Sequence, residues 1–144
     1  IKLLGTFWKK MGSKVDIMDA KQHDYILSIT SHIPHLIAYN IVNTTLNVQD
    51  KKESDVVKYS AGGLRDFTRI AASNPIMWRD VFIQNKKNTS NMIDNFIANL
   101  EDLKKAIENE DGKKLEEIFT KTKKIRKEIV KAGQDVGKPD FGRK

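Results

Sequence analysis

The chain has 144 residues, which suffice for one domain with a sizeable core but are few for two. It contains no cysteine, which excludes disulfides, zinc–thiolate sites and thiol nucleophiles and favours a reducing, cytoplasmic compartment. The net charge of +7, from 26 Lys and Arg against 19 Asp and Glu, requires that a nucleic-acid or membrane partner be considered.

The N-terminal segment "IKLLGTFWKKMG" carries lysines every few positions and resembles neither a signal peptide nor a membrane span. We therefore expect no membrane partner. The segment lacks an initiating methionine, and we expect the chain to be a piece of a longer protein. Residues 14–18, "KVDIM", predict a short strand or an extended connector, without evident partner strands.

Two helices are predicted around the first proline. Asp19 can cap the first helix, which should run to Ile29. Pro34 should interrupt helical structure, because proline lacks the amide hydrogen and disfavours helical angles at Ile33. A second helix should begin at Pro34 and end near Val48.

Two more helices are predicted in the middle of the chain. The stretch "GGLRDFTRIAAS" begins with two glycines, which permit unusual backbone angles or close approach by another group, and should then be helical to Ser73. Asn74 can cap the next helix and Pro75 suits its first position, so this helix should run to about Lys87.

The last part of the chain predicts an antiparallel helical hairpin. Apolar residues recur at spacings of three and four, first at Ile93, Phe96, Ile97, Leu100, Leu103 and Ile107 and then at Leu115, Ile118, Phe119, Ile125 and Ile129. The "EDG" of 110–112 separates the two stripes, and Gly133 can end the second helix. The sequence thus predicts a single all-α domain of about six helices over residues 1–133, followed by a flexible tail at 134–144.

The most basic stretch is "KTKKIRKEIVK" at 121–131. It places Ile125 and Ile129 on one face, as expected of a solvated helix. No aromatic residues interleave with the lysines and no nucleic-acid-binding signature accompanies them, so we expect no nucleic-acid partner.

The histidines are the first candidates for a site, since all three lie between residues 23 and 35. Imidazole and carboxylate groups bind metals, so a metal site at His23, Asp24, His32 and His35 is one hypothesis, although a helix break would separate these ligands. The chain has no GxGxxG, phosphate loop or HExxH motif, which excludes the usual dinucleotide and metalloprotease sites.

A second hypothesis is an anion site. A helix that begins at Pro34 would direct free amides and a positive dipole end at a ligand beside His32 and His35, and would favour neutral His35. Arg65 and Arg69 share a helical face and are suited to a carboxylate. In the simpler alternatives, His23 is structural, one arginine pairs with Asp66, and Trp78 and Phe82 belong to the core or an interface.

Two long motifs indicate a family. "QHDYILSITSHIPHLIAY" (22–39) and "SAGGLRDFTRIAASNPIMWRDVFIQNK" (60–86) closely resemble the C-terminal domain of prephenate and arogenate dehydrogenases, the cyclohexadienyl dehydrogenases of tyrosine biosynthesis. The resemblance extends from "W..MG..V..MD" near the start to "PDFGR" at 139–143, and so covers nearly the whole chain.

The resemblance implies an enzyme that uses NAD or NADP to oxidise and decarboxylate prephenate or arogenate. In the family, an N-terminal Rossmann domain holds the cofactor and the catalytic histidine. That domain is absent from this sequence, so we expect no catalytic, cofactor-binding or metal-binding residue here, and no activity from this part alone. The alternative is a stand-alone helical dimerisation or ligand-binding module without catalysis.

The resemblance also implies roles for individual residues. His35 matches a substrate contact, Arg69 the ligand of a substrate carboxylate, and Asp66 and Gly62 match positions that line the pocket, some of them from the partner subunit. Trp78 matches an aromatic residue at that boundary, and His32 a pocket position. Support of the pocket is implied for His23, Asp24 and Arg65. Leu64 replaces the phenylalanine of many relatives, a volume-preserving change. A homodimer is expected, and feedback inhibition by tyrosine is left open.

Overall fold

The computed structural model describes residues 1–49 and 58–134, and these two ranges contain helices and connections but no strand. The all-α prediction is therefore confirmed. The α-helices are α1 (Lys2–Lys10), α2 (Ala20–Leu27), α3 (Ile33–Gln49), α4 (Gly62–Thr68), α5 (Pro75–Gln84), α6 (Lys86–Glu108) and α7 (Gly112–Ile129). Shorter helical turns lie at Ser28–His32, Arg69–Ala72 and Val130–Gln134.

The chain divides into two compact units, residues 1–94 and residues 95–144, which are described separately. No helix in the described ranges is long and apolar enough to cross a membrane. The boundary at residue 133 and the flexible tail remain predictions, and residues 135–144 of that tail lie outside the described ranges.

The first unit begins with α1, an amphipathic helix with no buried residue. Its large apolar side chains are exposed, namely Leu3, Leu4, Phe7 and Trp8, together with the flanking Ile1 and Met11. The residues that follow, 13–19, form no regular secondary structure, so of the two predictions for "KVDIM" the connector is confirmed. Asp19 caps α2 as predicted, since its carboxylate accepts a hydrogen bond of 3.0 Å from the Gln22 amide.

The prediction that Pro34 interrupts the helix is wrong. Ile33 has helical angles (φ −59°, ψ −46°), and helical structure continues from α2 through Ser28–His32 into α3. The connecting turn is a π-turn, in which the Ile33 amide donates to the Ser28 carbonyl five residues earlier. A wider turn gives the proline ring the space that a regular turn would deny it, because the ring clashes with the carbonyl four residues before it.

Side chains satisfy carbonyl groups around this π-turn. The Ser28 hydroxyl donates to the Tyr25 carbonyl at 2.6 Å, and His35 Nδ1 lies 2.9 Å from the Ser31 carbonyl oxygen. Neither carbonyl is one that the missing Pro34 amide would have bonded. These side-chain bonds therefore accompany the continuous helix around the proline and do not replace the donor that proline lacks.

The predicted helix at 62–73 is confirmed, with its last turn tightened into the 3-10 turn Arg69–Ala72. Neither Gly62 nor Gly63 has a positive φ, so the unusual angles that glycine permits are not used here. The Tyr39 hydroxyl donates to the Ser73 carbonyl at 2.8 Å and so ties α3 to the connection before α5.

Helix α5 begins as predicted. The Asn74 side-chain oxygen accepts hydrogen bonds from the Ile76 and Met77 amides, and Pro75 occupies the first helical position. The helix ends at Gln84, three residues earlier than predicted, because Asn85 leaves the helical conformation (φ −102°, ψ 32°) and α6 begins at Lys86.

The second unit contains the predicted hairpin, formed by the C-terminal part of α6 and by α7. The connection includes Glu110 at a positive φ of 52°, and the Asp111 carboxylate caps α7 through the Lys114 amide. Ala106 is buried, and Gly133 has the left-handed conformation (φ 75°) that its predicted role requires.

Candidate functional site

The histidine motif and the helix α5 meet in an aromatic cluster. The rings of His35 and Trp78 are stacked, with centroids 3.7 Å apart and an angle of 24° between their planes. His35 Nδ1 must donate its proton to the Ser31 carbonyl, because a carbonyl oxygen only accepts. No described residue hydrogen-bonds the other ring nitrogen, Nε2, which leaves it able to bind a ligand.

His32 lies deeper in the same cluster. It is only 6% exposed, and its ring lies edge-on to Trp78 and Phe82 at centroid distances of 6.3 and 6.4 Å. Trp78 is itself buried, as the simpler alternative expected, and lies 5.4 Å from Phe82. The cluster is therefore a packed group in which His35 is the less buried of the two histidines.

Burial lowers the pKa of His32 below the ordinary histidine value of 6.5. Burial penalises the charged form, and this effect outweighs the nearby Asp24 carboxylate, which raises the pKa. The neighbouring His23 and His35 lower it further. His32 is therefore neutral at physiological pH.

Asn85 is a member of this cluster that the sequence analysis did not identify. Its amide nitrogen lies 2.7 Å from the Asp24 carbonyl oxygen and 3.3 Å from His32 Nδ1, and its oxygen accepts from the Asn88 side chain at 2.9 Å. Locally, Asn85 only ends an apolar helix and precedes two lysines. Because its partners Asp24 and His32 are distant in sequence, no local pattern could reveal its role.

His23 and Asp24 form a separate pair on the surface. His23 Nδ1 lies 3.1 Å from Asp24 Oδ1, and the two side chains are 55% and 50% exposed. Asp24 reaches the cluster through its backbone carbonyl, which Asn85 binds. In the described ranges no three His, Cys, Asp or Glu side chains form a group that could hold a metal ion, so the geometry gives the metal hypothesis no support.

The anion hypothesis must be corrected in part. It required a helix that begins at Pro34, whereas the helix is continuous there and offers no free first amides beside His32 and His35. No positive helix end therefore lies beside His35 to favour its neutral form.

The arginine side of the site lies on α4 and the turn after it. Arg65 Nε approaches Asp66 Oδ1 at 3.5 Å, so Arg65 is the arginine that pairs with this acid. The Arg69 side chain is exposed, and none of the described residues forms an ion pair or hydrogen bond with it. A Cβ at Gly62 would meet only the end of the Arg65 side chain at 3.6 Å, so packing within this chain does not require glycine there.

The structure thus brings three predicted site residues, His32, His35 and Trp78, into one cluster between α3 and α5. Gly62, Arg65, Asp66 and Arg69 lie together on α4 and the 3-10 turn, which pack against α3. Among the described residues, no hydrogen bond or ring contact joins the two groups. The hydrogen-bonding imidazole of His35 and the guanidinium of Arg69, which has no ionic partner among the described residues, lie on neighbouring elements and can together bind a small molecule that carries a carboxylate.

Comparisons with known proteins identify a family for the chain. A family model described as the dimerization domain of prephenate dehydrogenase matches residues 19–121. The chain is 37% identical over 126 residues to the cyclohexadienyl dehydrogenase of Zymomonas mobilis, covering 88% of this chain and 43% of that protein. It is 35% identical over 109 residues to the prephenate dehydrogenase of Bacillus subtilis, covering 76% of this chain and 29% of the relative.

Solved structures show the same likeness. A prephenate dehydrogenase from A. aeolicus, in complex with hydroxyphenyl propionate and NAD+, superposes with a TM-score of 0.82 at 41% identity, covering 89% of this chain and 44% of that one. A Synechocystis arogenate dehydrogenase has a TM-score of 0.75 at 19% identity and covers 88% and 46%, a likeness of fold alone. The chain spans less than half the length of these relatives.

Proposed function

The chain belongs to the family of prephenate dehydrogenase dimerization domains, and from this premise we propose that it is the C-terminal part of a prephenate or arogenate dehydrogenase of tyrosine biosynthesis. Such an oxidoreductase transfers a hydride from the substrate ring to NAD or NADP while the ring carboxylate leaves as carbon dioxide. The product is 4-hydroxyphenylpyruvate from prephenate or tyrosine from arogenate. In this proposal the chain supplies substrate-binding residues and the dimer interface.

The cofactor is assigned to the rest of the full-length protein. This sequence has no glycine-rich dinucleotide motif, and the A. aeolicus relative was solved with NAD+. A nicotinamide cofactor would accept the hydride, and the residues of this chain would bind and orient the substrate. The choice between NAD and NADP would be made outside this chain.

Arg69 is proposed as the ligand of the substrate's side-chain carboxylate. Its guanidinium is exposed and has no ionic partner among the described residues, whereas the nearby Arg65 contacts Asp66. A guanidinium binds a carboxylate through two parallel hydrogen bonds, which fixes orientation as well as position. The ring carboxylate must leave during the reaction, so holding it strongly would not accelerate the step.

His35 is proposed to orient the substrate ring. The stack on Trp78 and the hydrogen bond to Ser31 fix its ring on two sides, and Nε2 remains for a ligand. This fixed histidine is the observation that carries the assignment, because an oriented donor or acceptor is what a ring with a hydroxyl group requires. His32, Asp66, Gly62 and Trp78 complete the proposed pocket.

The hairpin is proposed as the homodimer contact. Several large apolar side chains of the second unit are exposed: Ile97, Leu100, Ile107, Phe119, Ile125 and Ile129. A partner subunit would remove this surface from water. Because pocket positions of the family include some from the partner, dimerisation would also complete the site. Inhibition by tyrosine and a cytoplasmic location are further parts of the proposal.

The direct test is an assay of the full-length protein with prephenate and with arogenate, each with NAD and with NADP. The absorbance of the reduced nicotinamide monitors the reaction. We expect turnover with at least one combination, and none from the 144-residue chain alone. A purified full-length dimer that turns over no combination would instead support the stand-alone module.

A further inference from the structure

We propose that Asn85 is a positioning residue for His32: its side-chain amide keeps His32 neutral with the ring proton on Nε2 and holds the ring against Trp78 and Phe82. The consequence for catalysis rests on the proposed function, and the hydrogen-bond arrangement itself does not. Asn85 is 9% exposed and lies at the junction between α5 and α6.

The orientation of the Asn85 amide follows from two of its partners. The Asp24 carbonyl oxygen, 2.7 Å away, only accepts hydrogen bonds, so the group that faces it must be the amide nitrogen. On the other side, the Asn85 oxygen accepts from the Asn88 side-chain nitrogen at 2.9 Å. Both ends of the amide thus have partners that agree on one orientation.

The protonation state of His32 follows from that orientation. The Asn85 nitrogen carries two hydrogens, of which one serves Asp24 and the other points to His32 Nδ1 at 3.3 Å. Since this nitrogen only donates, His32 Nδ1 must hold a lone pair, and the proton of a neutral imidazole then resides on Nε2. In an imidazolium, His32 Nδ1 would also carry a hydrogen, and two donors, Nδ1 and the Asn85 nitrogen, would then face each other.

The surroundings of His32 favour the same state. Burial lowers its pKa, and so do His23 and His35, while the Asp24 carboxylate acts in the opposite direction. That carboxylate lies 3.1 Å from His23 Nδ1, so His23 is its hydrogen-bonding partner. The hydrogen bond from Asn85 assigns the ring proton to Nε2, and the lowered pKa of His32 favours the neutral form without distinguishing the two tautomers.

The backbone explains why an asparagine can fill this role. Asn85 departs from helical angles, with its amide bonded to the Val81 carbonyl and its carbonyl bonded to the Thr89 amide. The junction therefore keeps its backbone hydrogen bonds while the side chain reaches α2 and the π-turn. Through His32, Asn85 supports Trp78, on which the His35 ring is stacked.

The tautomer can be measured without any change at Asn85. The full-length protein is labelled with ring-¹⁵N histidine, and the His32 signals are assigned from their loss in His32→Gln. We expect a pyridine-type shift at Nδ1 and a pyrrole-type shift at Nε2 near neutral pH. A pyrrole-type Nδ1 or an imidazolium pattern would overturn the proposal.

Asn85→Asp then tests the catalytic consequence. A carboxylate accepts from Nδ1 and should convert His32 to the Nδ1-protonated or charged form, and we expect kcat/KM to fall about tenfold or more. The matched control is Asn91→Asp on the exposed side of α6, which should leave both the spectrum and kcat/KM unchanged.

The outcomes separate the two proposals. If Asn85→Asp changes the tautomer while kcat/KM stays at the wild-type value, Asn85 has no positioning role in catalysis. If the wild-type enzyme turns over neither prephenate nor arogenate, the proposed function fails, and the wild-type spectrum still decides the arrangement of Asn85 and His32.

Discussion

The imidazole of His35 lies nearly parallel to the indole of Trp78, with ring centroids 3.7 Å apart. The same indole is in edge contact with His32 and in tilted contact with Phe82. One buried side chain on α5 therefore positions both histidines of the "SHIPH" motif, and changes at Trp78 should affect stability and substrate binding together.

We predict that Trp78→Ala lowers the free energy of unfolding by about 3–5 kcal/mol, because it removes a large buried ring and leaves a cavity. The same change should lower kcat/KM, since His35 loses the surface on which it is stacked. Denaturant unfolding and steady-state kinetics of the full-length protein measure the two effects.

Trp78→Phe is the control, because phenylalanine retains a ring for His35 and a smaller loss is expected in both measurements. Equal losses in the two variants would show that the stack has no special role.

The low pKa of His32 predicts a pH-dependent stability. The pKa in the folded state is below the unfolded value of about 6.5, so the unfolded chain binds the proton more readily. Stability contributed by neutral His32 is complete above pH 6.5 and is lost as pH falls from there through the folded pKa. Thermal unfolding of the wild type and of His32→Gln should be measured from about pH 5 to about pH 8, the interval in which histidine titrates. We expect the unfolding temperature to fall less towards acid pH in the variant than in the wild type.

An equal decline in both proteins would assign the loss to other groups. Asn91→Gln on the exposed side of α6 is the matched control, since it removes no titratable group, and it should keep the wild-type pH dependence.

The starts of two helices were predictable from the sequence, because capping is local chemistry: Asp19 and Asn74 accept backbone amides at the first turn as expected. Asp111 caps α7 in the same way and was not predicted. The continuous helix past Pro34 was not predictable in this way. The conformational preference of proline favours a break in the helix, whereas the observed structure passes Pro34 through a π-turn, beside which the Ser28 and His35 side chains bond backbone carbonyls.

The candidate site was predictable to the extent that its residues stand in recognisable motifs. His35, Arg69 and Trp78 match motif positions of the family, and their roles remain predictions, whereas their contacts could not be read from the sequence. Spacing alone allowed either Arg65 or Arg69 to pair with Asp66. In the structure Arg65 contacts Asp66, and Arg69 has no ionic partner among the described residues. Asn85 was missed because its contacts join helices that are distant in sequence.

Loss of the α5 cap is predicted to be measurable. The Asn74 side chain accepts from two amides, at 2.9 and 3.1 Å, at the start of the helix that carries Trp78. Asn74→Ala should lower the free energy of unfolding by about 1 kcal/mol. Asn74→Asp keeps an acceptor and should stay near wild type in the same denaturant titration. If Asn74→Ala left the free energy of unfolding unchanged, the Asn74 side chain would not stabilise α5 as a cap.

The dimer proposal predicts that Leu100→Glu shifts the full-length protein from dimer to monomer at micromolar concentration, because a charge cannot be buried cheaply in an apolar contact. Leu100 is 48% exposed on α6, so the change should cost little within one subunit. Sedimentation velocity measures the shift.

Asn99→Glu, at the neighbouring exposed position, is the control and should remain dimeric. A dimer that persists in Leu100→Glu would place the interface on another surface.

Binding of the substrate's side-chain carboxylate is proposed for Arg69, and steady-state kinetics of Arg69→Ala in the full-length enzyme measure what this contact contributes. We predict a loss of about 2–4 kcal/mol in transition-state binding, seen as a fall in kcat/KM, with partial recovery in Arg69→Lys. Arg79→Ala is the control, since Arg79 is an exposed arginine paired with Asp80 at 2.8 Å. If Arg69→Ala keeps kcat and KM near wild type, Arg69 does not bind the carboxylate.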